Sequence, residues 1–429
     1  MKKIFLITII SIFCTSTSFG QLGGLMNKVK SKVNQRVDKK TDETIDKSLD
    51  KAEGKQQAEE PAKQTEEKEE PSSDAVTKES SLKNFSRYDF VPGEKIVYFD
   101  NFEQESLAEL PVGWNTNGTG EVVTLDKYPG QWLRVHGPFV YLTGNQKEFT
   151  DSYTAEFDII MQLKNNGWMY PEIKVGLFSS KDENTTDNNF LKGYTKYSAT
   201  VATIYPGEFK SSKVDVSAWL DNKSYFKSEI KPFAALDQWY GQPIHVAIQV
   251  QKERFRIWIN EEKLFDVPKG IPLNYIMNQL MFEIGHTNYS DAQYALYISN
   301  IKIATGKPDT RHKLVEEGKF STTGILFNVN SATIKPESYG VLKEIAEVMK
   351  KNEDVRIKII GHTDSDGSDA ANLELSKKRA TAVKTALAEE FGVSEERMNT
   401  DGKGETIPVA DNKTKEGKSQ NRRVEFIRQ

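Results

Sequence analysis

Asp364 and Arg379 are the acid and the base in this chain whose placement could hold a small charged ligand. Asp364 ends the run Gly361-His362-Thr363-Asp364, just after the apolar stretch 355–361 with Ile357, Ile359 and Ile360. That stretch has the length of a strand, which puts the acid in the loop leaving it. Arg379 lies in 371–390, a segment rich in Ala, Leu and Lys in which Ala380, Val383 and Leu387 recur at helical spacing. On that helix Asn372, Ser376 and Arg379 are spaced to share one face. Two readings are open from spacing alone. The acid and the arginine pair with each other as a structural bridge. Or, held on separate elements, they take opposite ends of a zwitterion, the acid receiving an ammonium and the guanidinium gripping a carboxylate bidentately.

A strand must precede this loop and others must complete its sheet. The last part of the chain reads as strand (324–327), helix (336–351), strand, helix, then strands near 398–402 and 424–427. Pro336 suits a first helical turn, and Val341, Ile345 and Val348 give that helix one apolar face. The expected architecture is a two-layer α+β domain over 319–429.

Further runs lie on either side of the pair. Upstream is Phe327-Asn328-Val329-Asn330-Ser331-Ala332-Thr333-Ile334-Lys335-Pro336. The pair itself sits in Gly361-His362-Thr363-Asp364, then Asn372 and Leu375-Ser376-Lys377-Lys378-Arg379-Ala380. Downstream are Gly402, Gly404, Pro408, Ala410-Asp411-Asn412-Lys413-Thr414-Lys415-Glu416-Gly417 and Asn421-Arg422-Arg423-Val424-Glu425. In this order they resemble the OmpA-like peptidoglycan-binding domain over nearly all of 319–429. The resemblance implies that Asp364 and Arg379 grip the diaminopimelate of a peptidoglycan stem peptide, and that Asn330 and Asn372 line the same pocket. Arg422 and Arg423 are read as structural, tying the last strand to the helices, and His362 as a loop scaffold residue.

Between about 90 and 306 the character is different. All six tryptophans fall there, among short alternating runs at 153–160, 173–178, 244–250, 255–259 and 295–303. Turn signals such as Asn117-Gly118, Pro129-Gly130 and Asn165-Asn166-Gly167 separate such runs. Many short strands without helical periods predict an all-β sandwich. Tyr98–Phe102, Leu110–Trp114, Phe157-Asp158 and 243–268 resemble the concanavalin-like jelly-roll domains. A membrane barrel would need strands of about 9–11 residues with a lipid-facing apolar set, whereas these runs are short and carry charges on both faces. Some glycosidases of the jelly-roll kind carry Glu-x-Asp followed by a second Glu. Glu156 and Asp158 share a face by alternation, but Ile159, Ile160, Met161 and Gln162 follow, so the second glutamate is absent. The expectation is no enzyme and no catalytic residue, with a glycan or an envelope protein as the partner of the sandwich.

The remaining segments set the context. Lys2 and Lys3 precede an apolar run at 4–13, and Ser18-Phe19-Gly20 places small residues where a signal peptidase reads, so 1–20 is expected to be a secretory signal. Cys14 is the only cysteine and follows the bulky Phe13, which does not fit a lipoprotein signal. Leu25, Val29, Val33, Val37, Ile45 and Leu49 recur among charges and suggest a thin charged helix over 21–53. The tract 54–89 is dense in Glu, Lys, Gln and Pro and reads as a disordered linker. Residues 307–318 read as a polar connector. The formal charge of −4 becomes −6 once Lys2 and Lys3 leave with the signal, which gives no support to nucleic-acid binding. His136, His245, His286, His312 and His362 are scattered, and no cofactor or metal is expected. The chain as a whole reads as an exported, multidomain protein of the periplasm, associated with the outer membrane and cell wall, binding peptidoglycan non-covalently. The alternatives are a glycan or wall hydrolase acting through the sandwich, or a purely structural scaffold.

Overall fold

Strand alternation builds the first layer pair. In Ser152–Leu163 the residues Tyr153, Ala155, Phe157, Ile159 and Met161 point to one face and are buried in a shared core, while Thr154, Glu156 and Asp158 point to the other. The computed structural model describes residues 88–429, except 146–147, 182–183, 185 and 307–308. The expected signal peptide, the charged helix 21–53 and the linker up to 87 lie outside the described residues.

Two eight-stranded antiparallel sheets face each other. The first runs Glu262–Val267, Arg254–Ile259, Pro243–Gln251, Ser152–Leu163, Tyr294–Thr305, Gln131–Val135 and Gly120–Thr124, with Lys95–Asp100 also pairing with Tyr294–Thr305. The second is centred on Ile173–Ser179, Ser198–Tyr205, Lys213–Leu220 and Gln279–Ile284. Inner faces from both sheets fill one core, including Phe157, Val246 and Ile298 from the first sheet and Val175, Val216 and Phe282 from the second. Fully burying a side chain of this kind stabilises by about 1.5–3 kcal/mol. The expected sandwich is therefore present as two packed antiparallel sheets. Its central strands Ser152–Leu163 and Tyr294–Thr305 are 12 residues each, longer than the sequence runs. Their outward charges broke the apolar signal without breaking the strand.

The C-terminal sheet runs Lys319–Thr322, Val424–Arg428, Ile357–His362 and Met398–Gly404, with only the last pair parallel. The helices Tyr339–Lys351 and Asp369–Glu389 share a core with it, built from Val341, Ile345, Val383, Leu387, Ile357, Ile359 and Phe426. The Ser368 hydroxyl caps the second helix by accepting from the Ala371 N–H at 3.4 Å. The first strand is not at 324–327, where only a single bridge joins Phe327 to Ile334; it lies at Lys319–Thr322. The apolar Ile325, Leu326 and Phe327 drew the expectation because they enter or border the core.

Two expected boundaries also shift. Tyr88 and Phe90 are buried against Trp258, and Asp89 accepts the Trp258 indole N–H at 3.0 Å, so 88–89 belongs to the folded part and not to the linker. Within the expected connector, His312–Glu316 forms a π-helical turn that buries Leu314 in the C-terminal core. The sandwich and the C-terminal domain lie in one compact unit. Lys415 donates to Asp100 at 3.0 Å and Glu105 at 2.7 Å across their contact, and the Ile96 N–H donates to Gln420 at 2.9 Å. Gly340 meets the backbone at Phe90 so closely that an added Cβ would lie 2.2 Å from its carbonyl oxygen. The middle of the first sheet's outer face, at Thr154, Glu156 and Asp158, is buried.

Candidate functional site

Asp364 and Arg379 face one cavity of about 370 Å³. The strand Ile357–His362 delivers Asp364 at its end, and the helix Asp369–Glu389 delivers Arg379 from the side. Close approach of the two elements depends on Gly361, where a Cβ would lie 2.2 Å from the Ser376 carbonyl oxygen. Gly404, at φ +52°, lets its own strand pass the same helix beside Leu373. The Gly404 N–H donates to the Ser376 hydroxyl at 2.9 Å, which locks helix to strand at the turn preceding Arg379.

The two residues do not pair with each other. Asp364 is buried and its carboxylate forms an ion pair with Arg422. Its other oxygen accepts the Asp366 N–H at 3.2 Å. Arg422, expected to be structural, is thus part of the site, and its guanidinium also lies 5.2 Å from the Phe99 ring centroid on the sandwich. Arg423 keeps the structural role: it is 4% exposed and bonds Glu425 at 2.8 and 3.0 Å. The His362 ring and the Arg423 guanidinium hold the Glu425 carboxyl well below the usual carboxylate range, against the upward push of burial. His362 is buried beside Glu425, a scaffold position as expected from the sequence.

Arg379 is held without a carboxylate. Its Nε donates to the Ser331 carbonyl at 3.0 Å and its guanidinium lies over the Phe327 ring, 4.9 Å from the centroid. Among the described residues no acid lies within ion-pairing distance of it. Burial and the neighbouring Arg422 lower its pKa, with Asp364 acting the other way. The site therefore presents a partly desolvated cation whose outer N–H groups have no partner among the described residues and can take an anion, opposite a carboxylate with accepting capacity to spare.

Asn330 and Asn372 both line the cavity. The Asn372 amide is committed to the loop: it donates to the carbonyls of Asp364 at 3.3 Å and Asp366 at 3.0 Å, and to Glu405. It shapes the turn that presents Asp364. Asn330 sits at φ +52° in the turn that offers the Ser331 carbonyl to Arg379.

The opposite wall comes from the sandwich, which sequence reasoning did not assign to this site. Glu156, Asp158, His245, Asn300 and Lys302 occupy the covered outer face of three adjacent strands. His245 Nδ1 lies 2.7 Å from Asp158, Asn300 donates to Asp158 at 2.8 Å, and Lys302 lies 2.9 Å from Glu156. Burial pushes both carboxyls up, but Lys302 and His245 outweigh it and hold Glu156 low, and His245 does the same for Asp158. The only signal in the sequence was the outward alternation of Thr154, Glu156 and Asp158, which reads the same for a solvated face.

With this geometry in place, the similarities to known proteins can be set beside it. Residues 326–422 match the OmpA family. Outer membrane porin F of Pseudomonas aeruginosa is 45% identical over 101 residues, covering 24% of this chain and 29% of that protein. The peptidoglycan-binding protein ArfA of Mycobacterium tuberculosis is 38% identical over 103 residues, 24% of this chain and 31% of that protein. The chain thus spans less than a third of the length of either relative. Among solved structures, the peptidoglycan-associated lipoprotein from Burkholderia pseudomallei is 31% identical, covers 25% of this chain and 89% of that one, and superposes with a TM-score of 0.23.

Proposed function

Because the chain carries a C-terminal OmpA-family domain, we propose that it is an envelope protein that binds peptidoglycan non-covalently, through the diaminopimelate of the stem peptide. Asp364 receives the ammonium and Arg379 the carboxylate at the same end of that residue. The observation that carries this reading is the Arg379 guanidinium: half-buried, fixed by Ser331 and Phe327, and facing the cavity with no acid within ion-pairing distance among the described residues. A partly desolvated cation without an ion-pair partner gains from an anionic ligand. The names of two relatives, an outer membrane porin and a peptidoglycan-binding protein, support the same reading. Co-sedimentation of the full chain with purified peptidoglycan tests it. Retention on walls with diaminopimelate stems, competed by free diaminopimelate, is the expected result; absence of retention would overturn the reading.

The sandwich is read as non-catalytic. A glycosidase acid must carry its proton at working pH, and both Glu156 and Asp158 are held ionised by their cationic neighbours. The full chain should therefore show no turnover of wall glycan or common polysaccharides. Hydrolysis that disappears on Glu156→Gln would reverse this. A glycan as a second partner of the sandwich is supported by Trp168, in the loop after Ser152–Leu163, which is 58% exposed and presents an indole on which a sugar ring can stack.

A further inference from the structure

The sandwich wall of the cavity has unused donors. Asp158 takes one contact on each oxygen, from His245 and Asn300, and Glu156 pairs with Lys302. His245 Nε2, in contrast, has no hydrogen-bond partner among the described residues, its nearest carboxylate oxygen being 3.6 Å away on Glu156. The Lys302 ammonium has three protons and a single carboxylate partner among the described residues. Both side chains are more than nine-tenths buried and both line the cavity. The opposite wall adds the open N–H groups of Arg379. Unmet donors therefore lie on two walls of the cavity, and Asp364 adds an acceptor. A ligand matching this has one ammonium and at least two carboxylates. Its volume of about 370 Å³ falls within the range for pockets that bury a small ligand whole, about 300–1,000 Å³.

We propose that Lys302 and His245 form a second anion subsite, contributed by the sandwich, which takes a further carboxylate of the stem peptide whose diaminopimelate end is held by Asp364 and Arg379. This rests on the diaminopimelate reading and deepens it. The second carboxylate is one that only the peptide presents without an ammonium beside it, on the γ-linked glutamate or at the amide-linked end of diaminopimelate, whereas free diaminopimelate carries an ammonium at each end, which the Lys302 and His245 cations repel. Recognition is then shared by two domains, and the sandwich selects a peptide over a lone amino acid. A merely structural network would serve equally well with Lys302 bound to Glu156 alone and would leave ligand affinity untouched when both are neutralised.

Two probes separate these possibilities by calorimetric titration of the full chain: free meso-diaminopimelate, and the tripeptide L-Ala-γ-D-Glu-meso-diaminopimelate. Lys302→Met should weaken the tripeptide by roughly 10-fold and leave free diaminopimelate within about 2-fold of wild type. Because Lys302→Met leaves Glu156 without its ammonium, the double variant Glu156→Gln, Lys302→Met is measured beside it. It should show the same tripeptide loss with a melting temperature closer to wild type. If both variants bind the tripeptide as wild type does while Arg379→Ala loses both probes, the subsite is refuted and the diaminopimelate reading stands. If wild type binds neither probe, the diaminopimelate reading fails and the subsite fails with it.

Discussion

Replacing Arg379 by alanine is expected to weaken binding of a diaminopimelate stem peptide by roughly 10- to 100-fold while leaving the chain folded. Among the described residues the guanidinium has no carboxylate partner to abandon; it gives up one bond to the Ser331 carbonyl and its place over Phe327. Relieving the repulsion from Arg422 offsets part of that loss. A charge-assisted contact to a ligand carboxylate is worth about 1.5–3 kcal/mol, and each 1.4 kcal/mol is one decade in affinity. Arg379→Lys should recover little, since an ammonium on a flexible stem cannot reproduce the planar two-pronged grip. Asp364→Asn is the less clean partner experiment. It removes the ligand's counter-charge and strands Arg422 at the same time, so affinity and melting temperature should both fall. The measurement pairs calorimetry with a thermal melt on each variant. A folded Arg379→Ala that binds like wild type would remove Arg379 from the site.

The second large effect concerns pH and the sandwich wall. Burial pushes His245 towards neutrality, but Asp158 and Glu156 outweigh it and raise its pKa to about 10. The groups facing it are Asp158 and Glu156 on one neighbouring element and Lys302 and Asn300 beyond them, with Lys335 acting on Asp158 from the C-terminal domain. An unfolded histidine titrates near 6.5. A pKa raised on folding gives stability that is complete below about pH 6.5 and is lost as pH climbs towards about 10. The full shift corresponds to at most about 5 kcal/mol, shared by the whole cluster rather than owned by His245. At the acid end the sign reverses: Glu156 and Asp158, held low, lose their contribution as pH falls through their depressed values. The melting temperature of wild type should therefore decline between pH 6.5 and 10. His245→Gln should be less stable at pH 6.5 and should show a shallower decline. Equal slopes in the two proteins would show that His245 is not held protonated in the fold.

Local pattern made the scaffold of the site legible. The apolar run ending in Gly361 and the Ala380, Val383, Leu387 spacing placed Asp364 and Arg379 on the right elements, and the alternation from Tyr153 to Ile160 located a central strand. Pairing across long sequence separation was not legible. Asp364 sits 58 positions from Arg422, and either Arg379 or Arg422 satisfies an acid equally well on paper. Covering of the sheet's outer face left no mark either. Glu156, Asp158 and Lys302 have the sequence signature of a solvated face, and only the docked C-terminal domain makes them a cavity wall. Leu314 and Val315, two adjacent apolar residues in a polar stretch, carried too little pattern to mark the connector as part of a core.

Diaminopimelate recognition is tested most directly by titrating the full chain with two stem peptides identical except at one residue, diaminopimelate in one and lysine in the other. Lysine keeps the side-chain ammonium for Asp364 but lacks the carboxylate that Arg379 would hold. Binding of the diaminopimelate peptide tighter by at least about 10-fold is the expected result, the worth of one charge-assisted contact. Equal affinity for the two peptides would contradict it, leaving Arg379 without the ligand group assigned to it.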